Sequence, residues 1–330
     1  MTRTTDAFSF RSSPRKRGPS SVARQGAGDG GQGNNSHIAR PKHWVPAFAG
    51  MSGRERTARE GMILLNVLLV LAVASVAVLI MIASQDLEVQ RSTRLRDAAQ
   101  ANAYARAGEL SAITVLRRDG LTAAATDNLS EPWAQLGQQA VAIPGGRFSL
   151  AIEDEQARFN LNAMQSGDPG PIDLFQRIGE ALDIDPATLI RIATVVRVAG
   201  PLTDDSLIVA AGVTRAELDR LAPYVTILPG TTAVNLNTVG LPLMTLLTRD
   251  AEVAGKLIEA RDRKGYLTPA DLAAEGAPTL AGTGFTSDHY RVVTTVTVGD
   301  VTQALDSRIA RIRGVGTVDV VVTDRRRTAG

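Results

Sequence analysis

Residues Met62 to Ala83 form a charge-free, mainly apolar run, preceded by Arg54-Glu55-Arg56-Thr57-Ala58-Arg59-Glu60-Gly61 and followed by Ser84-Gln85-Asp86. Nothing else in the chain restricts the fold as strongly. As a helix rising about 1.5 Å per residue the run spans roughly 33 Å, which matches a hydrocarbon core about 30 Å thick. A secretory signal has a shorter apolar core with a small-residue cleavage site after it, and Ala83-Ser84-Gln85 is a poor site of that kind. The unusual junction is N-terminal, where a charged leader meets Gly61 and the apolar run begins at once with Met62-Ile63-Leu64-Leu65. That order predicts a single transmembrane helix that stays on the mature product.

Charge is unevenly placed. Residues 1–61 hold 11 Lys/Arg against 4 Asp/Glu, which leaves 25 against 30 in residues 62–330. Nucleic acid is held by basic surfaces that release counterions, so an acidic mature region points away from it. The chain has no cysteine, which excludes disulfides and thiolate metal sites. Of three histidines, His37, His43 and His289, the first two precede the anchor. A histidine-based triad or zinc site needs several converging groups, and no G-x-S-x-G motif is present, so no enzyme is expected. Residues 1–50 read as a disordered or wrongly assigned extension, with Met51 opening the compact leader 51–61. Gly26, Gly28 and Gly31 fit G-x-G-x-x-G there, but the strand and helix that would make them a phosphate cradle are missing from the pattern.

Beyond the anchor (62–83), Leu95, Ala99, Ala103, Ala107, Leu110 and Ile113 recur at helical spacing and predict a stalk helix over 84–119, ending at Asp119-Gly120. This stripe is expected to serve both the chain's own sheet and assembly with other helices. Period two then takes over. Gln139–Ile143, Pro144-Gly145-Gly146 and Arg147–Glu153 predict a hairpin, as do Arg291–Val298, Gly299-Asp300 and the residues from Val301, with a further strand at Gly316–Val322. Between them lie short helices, started by Asp185-Pro186, by Thr203 before Asp204–Ala211, and by Thr214 before Arg215–Ala222. Two helix-start segments are alike: Pro201-Leu202-Thr203-Asp204-Asp205-Ser206-Leu207 and Tyr266-Leu267-Thr268-Pro269-Ala270-Asp271-Leu272. The second follows a helix over 254–263 and Gly265. Such a unit can grip a nucleic-acid backbone, but Lys264-Gly265-Tyr266 lacks a second hairpin glycine.

Gly61-Met62, Arg158-Phe159-Asn160-Leu161-Asn162, Ala222-Pro223-Tyr224-Val225-Thr226, Val234-Asn235-Leu236-Asn237-Thr238, and Arg261 through Gly265 to Asp271-Leu272 occur in an order that resembles the K-type minor pseudopilins of type II secretion (general secretion pathway protein K), over about residues 52–315. The paired Asn-x-Asn motifs are the specific part, and Asn160, Asn162, Asn235 and Asn237 are expected to bond neighbouring backbone where strands enter and leave a helical insertion.

The resemblance implies an α+β, pilin-like fold, with a long N-terminal helix packed on an antiparallel sheet and a helical domain inserted. The head would run over 120–160 and 231–330, the latter holding the second helical pair and the C-terminal strands, with the insertion at 161–230. It also implies cleavage between Gly61 and Met62 by the prepilin peptidase, N-methylation, and a place at the tip of a pseudopilus. The partners implied are the I- and J-type minor pseudopilins, the inner-membrane secretion platform and lipid, with the N-terminus cytoplasmic and the bulk periplasmic. Asn66 stands fifth after the cleavage point, where other pseudopilins carry a glutamate. Some members bind calcium through an acidic stretch of the insertion, but the matching Val195-Val196-Arg197-Val198-Ala199 offers no such oxygens. Asp183, Asp185, Asp204 and Asp205 remain, but a helix-cap reading covers most of them and calcium takes six to eight oxygens, so no cofactor or metal is expected. The alternative reading is a membrane-anchored DNA-binding module of a DNA-uptake system.

Overall fold

The computed structural model describes residues 56–122, 125–136, 140–277 and 280–329. The expected extension 1–50 and the first five residues of the leader lie outside them. Helix α1 runs Arg56–Thr122. The described residues up to Val70 belong to one unit and those from Leu71 onward to another, and the second carries all the remaining structure.

After a short helix α2 (Pro132–Gln135), strands β1 (Val141–Ile143) and β2 (Gly146–Asp154) form the first hairpin. Strands β3 (Phe159–Asn160), β4 (Val225–Thr226), β5 (Val234–Asn235) and β6 (Thr283–Gly284) are two-residue pieces set among helices α3 (Pro169–Ala181), α4 (Pro186–Ala199), α5 (Ser206–Ala210), α6 (Arg215–Leu221), α7 (Leu241–Thr248), α8 (Ala251–Lys264) and α9 (Pro269–Ala274). Strands β7 (His289–Val298), β8 (Val301–Gly314) and β9 (Thr317–Ala329) complete an antiparallel sheet ordered β1-β2-β7-β8-β9. The period-two pattern is kept throughout β7, whose even-numbered residues are buried and odd-numbered ones half-buried.

The sheet packs on α1 through small residues. Ala101, Ala105, Gly108, Ala112 and Leu116 are buried against Leu150, Ile152, Tyr290, Val292, Val296 and Ile309. A β-carbon on Gly108 would lie 2.8 Å from Phe148 Cζ and 2.9 Å from Thr294 Cγ2, so this position sets how closely helix and sheet approach. Trp133 and Tyr290, both fully buried, meet edge to face at 5.2 Å. Gly120 is buried against Arg311 and Val318; the helix therefore continues past the expected stop at Asp119-Gly120 to Thr122.

Strands β2 and β7 are direct neighbours, from Asp154↔Tyr290 to Gly146↔Val298, so residues 155–288 form one insertion at the end of one hairpin. This corrects the expected boundary at 230. The α7–α9 segment shares a single apolar core with α3–α6, including Phe175, Ile192, Leu221, Met244, Leu257 and Leu272, because its apolar face meets α3 rather than the sheet.

Helix starts follow their local chemistry. Asp185 accepts from Ala187 N ahead of Pro186, and Thr214 and Glu217 form a reciprocal capping box. Asp250 caps α8, and Gly265, at φ 94°, ends it. Thr203 is a correction: α5 starts at Ser206 with Asp205 at its N-cap, and Asp204 Oδ1 takes the Ser206 amide.

Candidate functional site

The stripe expected on the stalk is real but faces away from the sheet. Leu95, Ala99, Ala103, Ala107 and Leu110 are all exposed and only Ile113 is half-buried, whereas Ala101, Ala105, Gly108 and Ala112 meet the sheet. Ala103 is two residues from Ala101, about 200° round a helix of 3.6 residues per turn. The expected sharing of this stripe with the chain's own sheet holds only at Ile113, which packs on the sheet core; elsewhere a second, smaller-residue stripe fits closer to the strands. Every large apolar residue from Met62 to Ile82 is at least 50% exposed, and the helix is long and apolar enough to cross a membrane. Gly61, Met62 and Asn66 lie within α1, with Met62 and Asn66 exposed.

The four asparagines are buried and fully bonded. Asn160 Oδ1 accepts from the amides of Asn162 (3.1 Å) and Leu228 (3.1 Å), while its Nδ2 donates to Gly230 O (2.8 Å) and Thr232 Oγ1 (3.1 Å). Asn235 Oδ1 accepts from Asn237 N at 2.9 Å, and its Nδ2 donates to Asp127 O, Asp154 Oδ2 and Ser287 Oγ at 2.8–3.0 Å. The second asparagine of each motif grips a distant helix start. Asn162 Oδ1 accepts from Leu202 N (2.9 Å) and Asn237 Oδ1 from Leu267 N (2.6 Å). Leu202 and Leu267 are the first leucines of the two similar helix-start segments.

Each motif also opens a parallel pairing, β3 with β4 and β5 with β6. The insertion thus repeats one plan twice: strand, Asn-x-Asn, helices, a gripped Leu-Thr, a further helix or two, and a returning parallel strand.

An ionic cluster that the residue pattern did not disclose joins insertion, sheet and the end of α1. Asp127 Oδ1 accepts from Arg311 (2.7 Å) and the Tyr290 hydroxyl (3.0 Å), and Oδ2 from Arg313 (2.8 Å) and Ser287 N (2.7 Å). Arg311 also pairs with Asp119 at 3.2 Å, bonds the Tyr290 hydroxyl and lies over the Tyr290 ring. Asp154 Oδ2 accepts from Ser287 Oγ (2.5 Å), Thr238 Oγ1 (2.5 Å) and Asn235. Glu131 takes the Trp133 indole at 2.7 Å and both nitrogens of Asn128.

Burial pushes Glu131 up to about 7 and Asp119 to about 6, Arg311 opposing the second shift. Burial also raises Asp154 against its four hydrogen bonds. Burial would likewise raise Glu109, but Arg325 and Ser307 bond its carboxylate and hold it below the usual range.

Carboxylate oxygens of Asp119, Asp127 and Glu131 come within 4.8 Å of one another. The Arg311 guanidinium, bonded to both aspartates, supplies their countercharge. Three carboxylates with a cation already among them do not fit calcium, which takes six to eight oxygens. The aspartates of the insertion are also engaged: Asp185 and Asp204 in cap bonds, and Asp205 with Arg215 at 2.5 Å. Asp183 closes α3 at φ 52°.

No family model matches the chain. Type II secretion system protein K of Pseudomonas aeruginosa is 26% identical over 299 residues, covering 78% of this chain and 90% of that protein. Its counterpart from Klebsiella pneumoniae is 31% identical over 262 residues, covering 66% of this chain and 80% of that protein. The chain belongs to the type II secretion system protein K family. A chain from the crystal structure of the GspK–GspI–GspJ complex of the enterotoxigenic Escherichia coli type 2 secretion system shares the fold. Its TM-score is 0.59 at 17% identity, covering 72% of this chain and 99% of that one. For a protein K, the helix-on-sheet head with its inserted helical domain is the fold the sequence resemblance implied.

Proposed function

We propose that this protein K is the minor pseudopilin that initiates or caps its pseudopilus at the tip, anchored by one helix in the inner membrane with its head in the periplasm. The observation that carries the reading is the uncovered stripe of α1. Leu95 and Leu110 are 64% and 61% exposed, on the face opposite the sheet. Such a face is stable in water only when covered, and full burial of each leucine is worth about 1.5–3 kcal/mol. Intervening Ala99, Ala103 and Ala107 leave room for another helix to come close. The relative's complex with GspI and GspJ makes the I- and J-type subunits the natural occupants.

In this reading the prepilin peptidase cuts between Gly61 and Met62 and methylates the new terminus. Asn66 lacks the carboxylate that would neutralise a neighbour's terminal ammonium in lipid, where unpaired charge is costly. A subunit with no neighbour above it has no such charge to meet. The role requires no catalysis and no cofactor. The DNA-binding alternative is not favoured, since Lys264 of the candidate hairpin is held by Asp271 at 2.8 Å. Co-purification with the I- and J-type subunits tests the reading. Ala103→Glu should abolish the complex, and an intact complex would remove the stalk from the interface.

A further inference from the structure

Helices α3 and α4 wall an open groove of about 610 Å3 on the insertion. Phe175 and Leu189 are buried in it, with Ile172 and Ala193 half-buried beside them. The two helices come close because Gly179 stands where a β-carbon would collide with Leu189. Helix α4 is apolar nearly all round. It buries Leu189, Ile192 and Val196, yet Ile190 is 64% exposed and Val198 81%. A helix with apolar residues on every face is ordinarily a covered one, and this one is covered on one side only. Its open side carries Pro186, Ile190, Thr194 and Val198, spaced by four. Rows of that spacing are the ridges that interlock when one helix crosses another.

Charge identifies the cover. Glu180 and Arg197 are the groove's charged lining residues, and neither has an ion-pair partner among the described residues. They stand at opposite ends. Glu180 follows Gly179, which packs on Leu189 near the start of α4, and Arg197 lies in the last turn of α4. The Glu180 end is acidic beyond the lining as well, with Asp183 and the cap residue Asp185 exposed there. Arg220, at that end, is spent on the carbonyls of Leu182 and Asp183. Arg191 points about 200° round the helix from Leu189 and bonds Gly212 O at 3.2 Å.

Such a surface complements itself. Thr194 is midway between Ile190 and Val198, so a two-fold axis at Thr194 sets Ile190 of each copy against Val198 of the other. The same axis brings Arg197 of one copy level with Arg191 of the other, about 3 Å of helix rise from Leu189. Glu180 sits beside that leucine, on the α3 side, away from Arg191. An acidic end thus meets a basic end twice over, and Thr194 and Ala193 keep the crossing point small.

We propose that the α3–α4 groove is an interface between two copies of this chain, α4 crossing α4 at Thr194, with Ile190 on Val198 and Glu180 paired with Arg197 across the two-fold axis. An isologous contact requires one patch that fits itself, and a ridge beside a groove with unlike charges at its two ends is such a patch. It lies on the insertion, apart from the α1 stripe, and does not depend on the assembly reading. The test uses the full chain in detergent. The chain has no cysteine, so Thr194→Cys places a lone thiol on the axis. Mild oxidation should link that variant into dimers, because a disulfide forms only where two α-carbons come within about 4.4–6.8 Å. Leu207→Cys, on α5 and 49% exposed, is the control and should stay unlinked.

Light scattering across a dilution series gives the dimer's dissociation constant. Glu180→Arg and Arg197→Glu should each weaken it about tenfold or more, and the double variant carrying both should recover the parent's value. Both residues are exposed and unpaired, so these variants should keep the parent's thermal melt and its complex with the I- and J-type subunits. The proposal is overturned by a chain that stays monomeric up to about 100 μM, or by equal linking of Thr194→Cys and Leu207→Cys. Dimers indifferent to the single charge reversals, or not restored in the double variant, would place the contact elsewhere, on the membrane helix for example, and overturn it too.

Discussion

Asn160 and Asn235 each hold their own turn with one amide oxygen and a distant segment with the amide nitrogen. Truncation leaves buried backbone groups unpaired, at about 1–3 kcal/mol for such a loss. Asn235→Ala should cost more than Asn160→Ala, because Asn235 also donates to the buried carboxylate of Asp154; urea melts of the two variants will rank them. Glu131 makes the clearest pH prediction. Held at about 7 by burial, against an ordinary value of 4.5, it binds a proton in the folded chain where the unfolded chain has released it. Between pH 4.5 and 7 its contribution to stability therefore falls as pH rises, by at most about 1.4 kcal/mol per pH unit. Glu131→Gln should remove that decline, seen as a wild-type-minus-variant difference in denaturation midpoint that grows across the window. Glu109 works in the opposite sense, its stabilisation being lost as pH falls. At this scale the sequence disclosed the asparagines and their kind of bond but not their partners, because Leu202, Leu228 and Leu267 lie 30 to 68 residues away. The clue was available: each Asn-x-Asn precedes one of two similar Leu-Thr helix starts.

Among the elements, α1 has two stripes with separable roles, and a pair of substitutions tells them apart. Gly108→Ala places a β-carbon 2.8 Å from Phe148 and should destabilise the head by about 1–3 kcal/mol through overpacking. Ala103→Glu, on the open face, should leave the melt within about 0.5 kcal/mol of the parent while it breaks assembly. Thermal melting and co-purification, run on both variants, should give opposite orders of severity. The helix and the β7–β8 hairpin were legible because each buries one face, so apolar residues keep the period of the backbone. Which α1 stripe meets the sheet was not legible, since alanines occupy both and only the sheet's close approach selects one. Strand β9 was read only as far as Val322, because the bulge at Thr323 breaks the alternation there and three arginines follow. The insertion's true end was hidden for a similar reason: α7–α9 are amphipathic either way, and only contact with α3–α6 assigns them.

For the molecule as a whole, processing and folding are the open tests. Gly61→Leu should block the leader's removal when the prepilin peptidase is co-expressed, since bulk at the cut position hinders approach; the readout is the mobility shift of the precursor, and normal processing would move the site elsewhere. The direct pairing of Asp154 with Tyr290 has a kinetic consequence. An unfolded loop of residues 155–288 must be closed before β2 can meet β7, and loop-closure entropy rises with length. Once the insertion has folded on its own core, its two ends stand one strand spacing apart and that entropy has already been spent. The insertion should therefore fold first and template the sheet. In a Trp44→Phe background, refolding followed by Trp133 fluorescence, which reports the sheet core, should lag behind helix formation followed by circular dichroism. A domain set into the turn of a hairpin would then act as the fastener that lets a slow, long-range sheet close quickly.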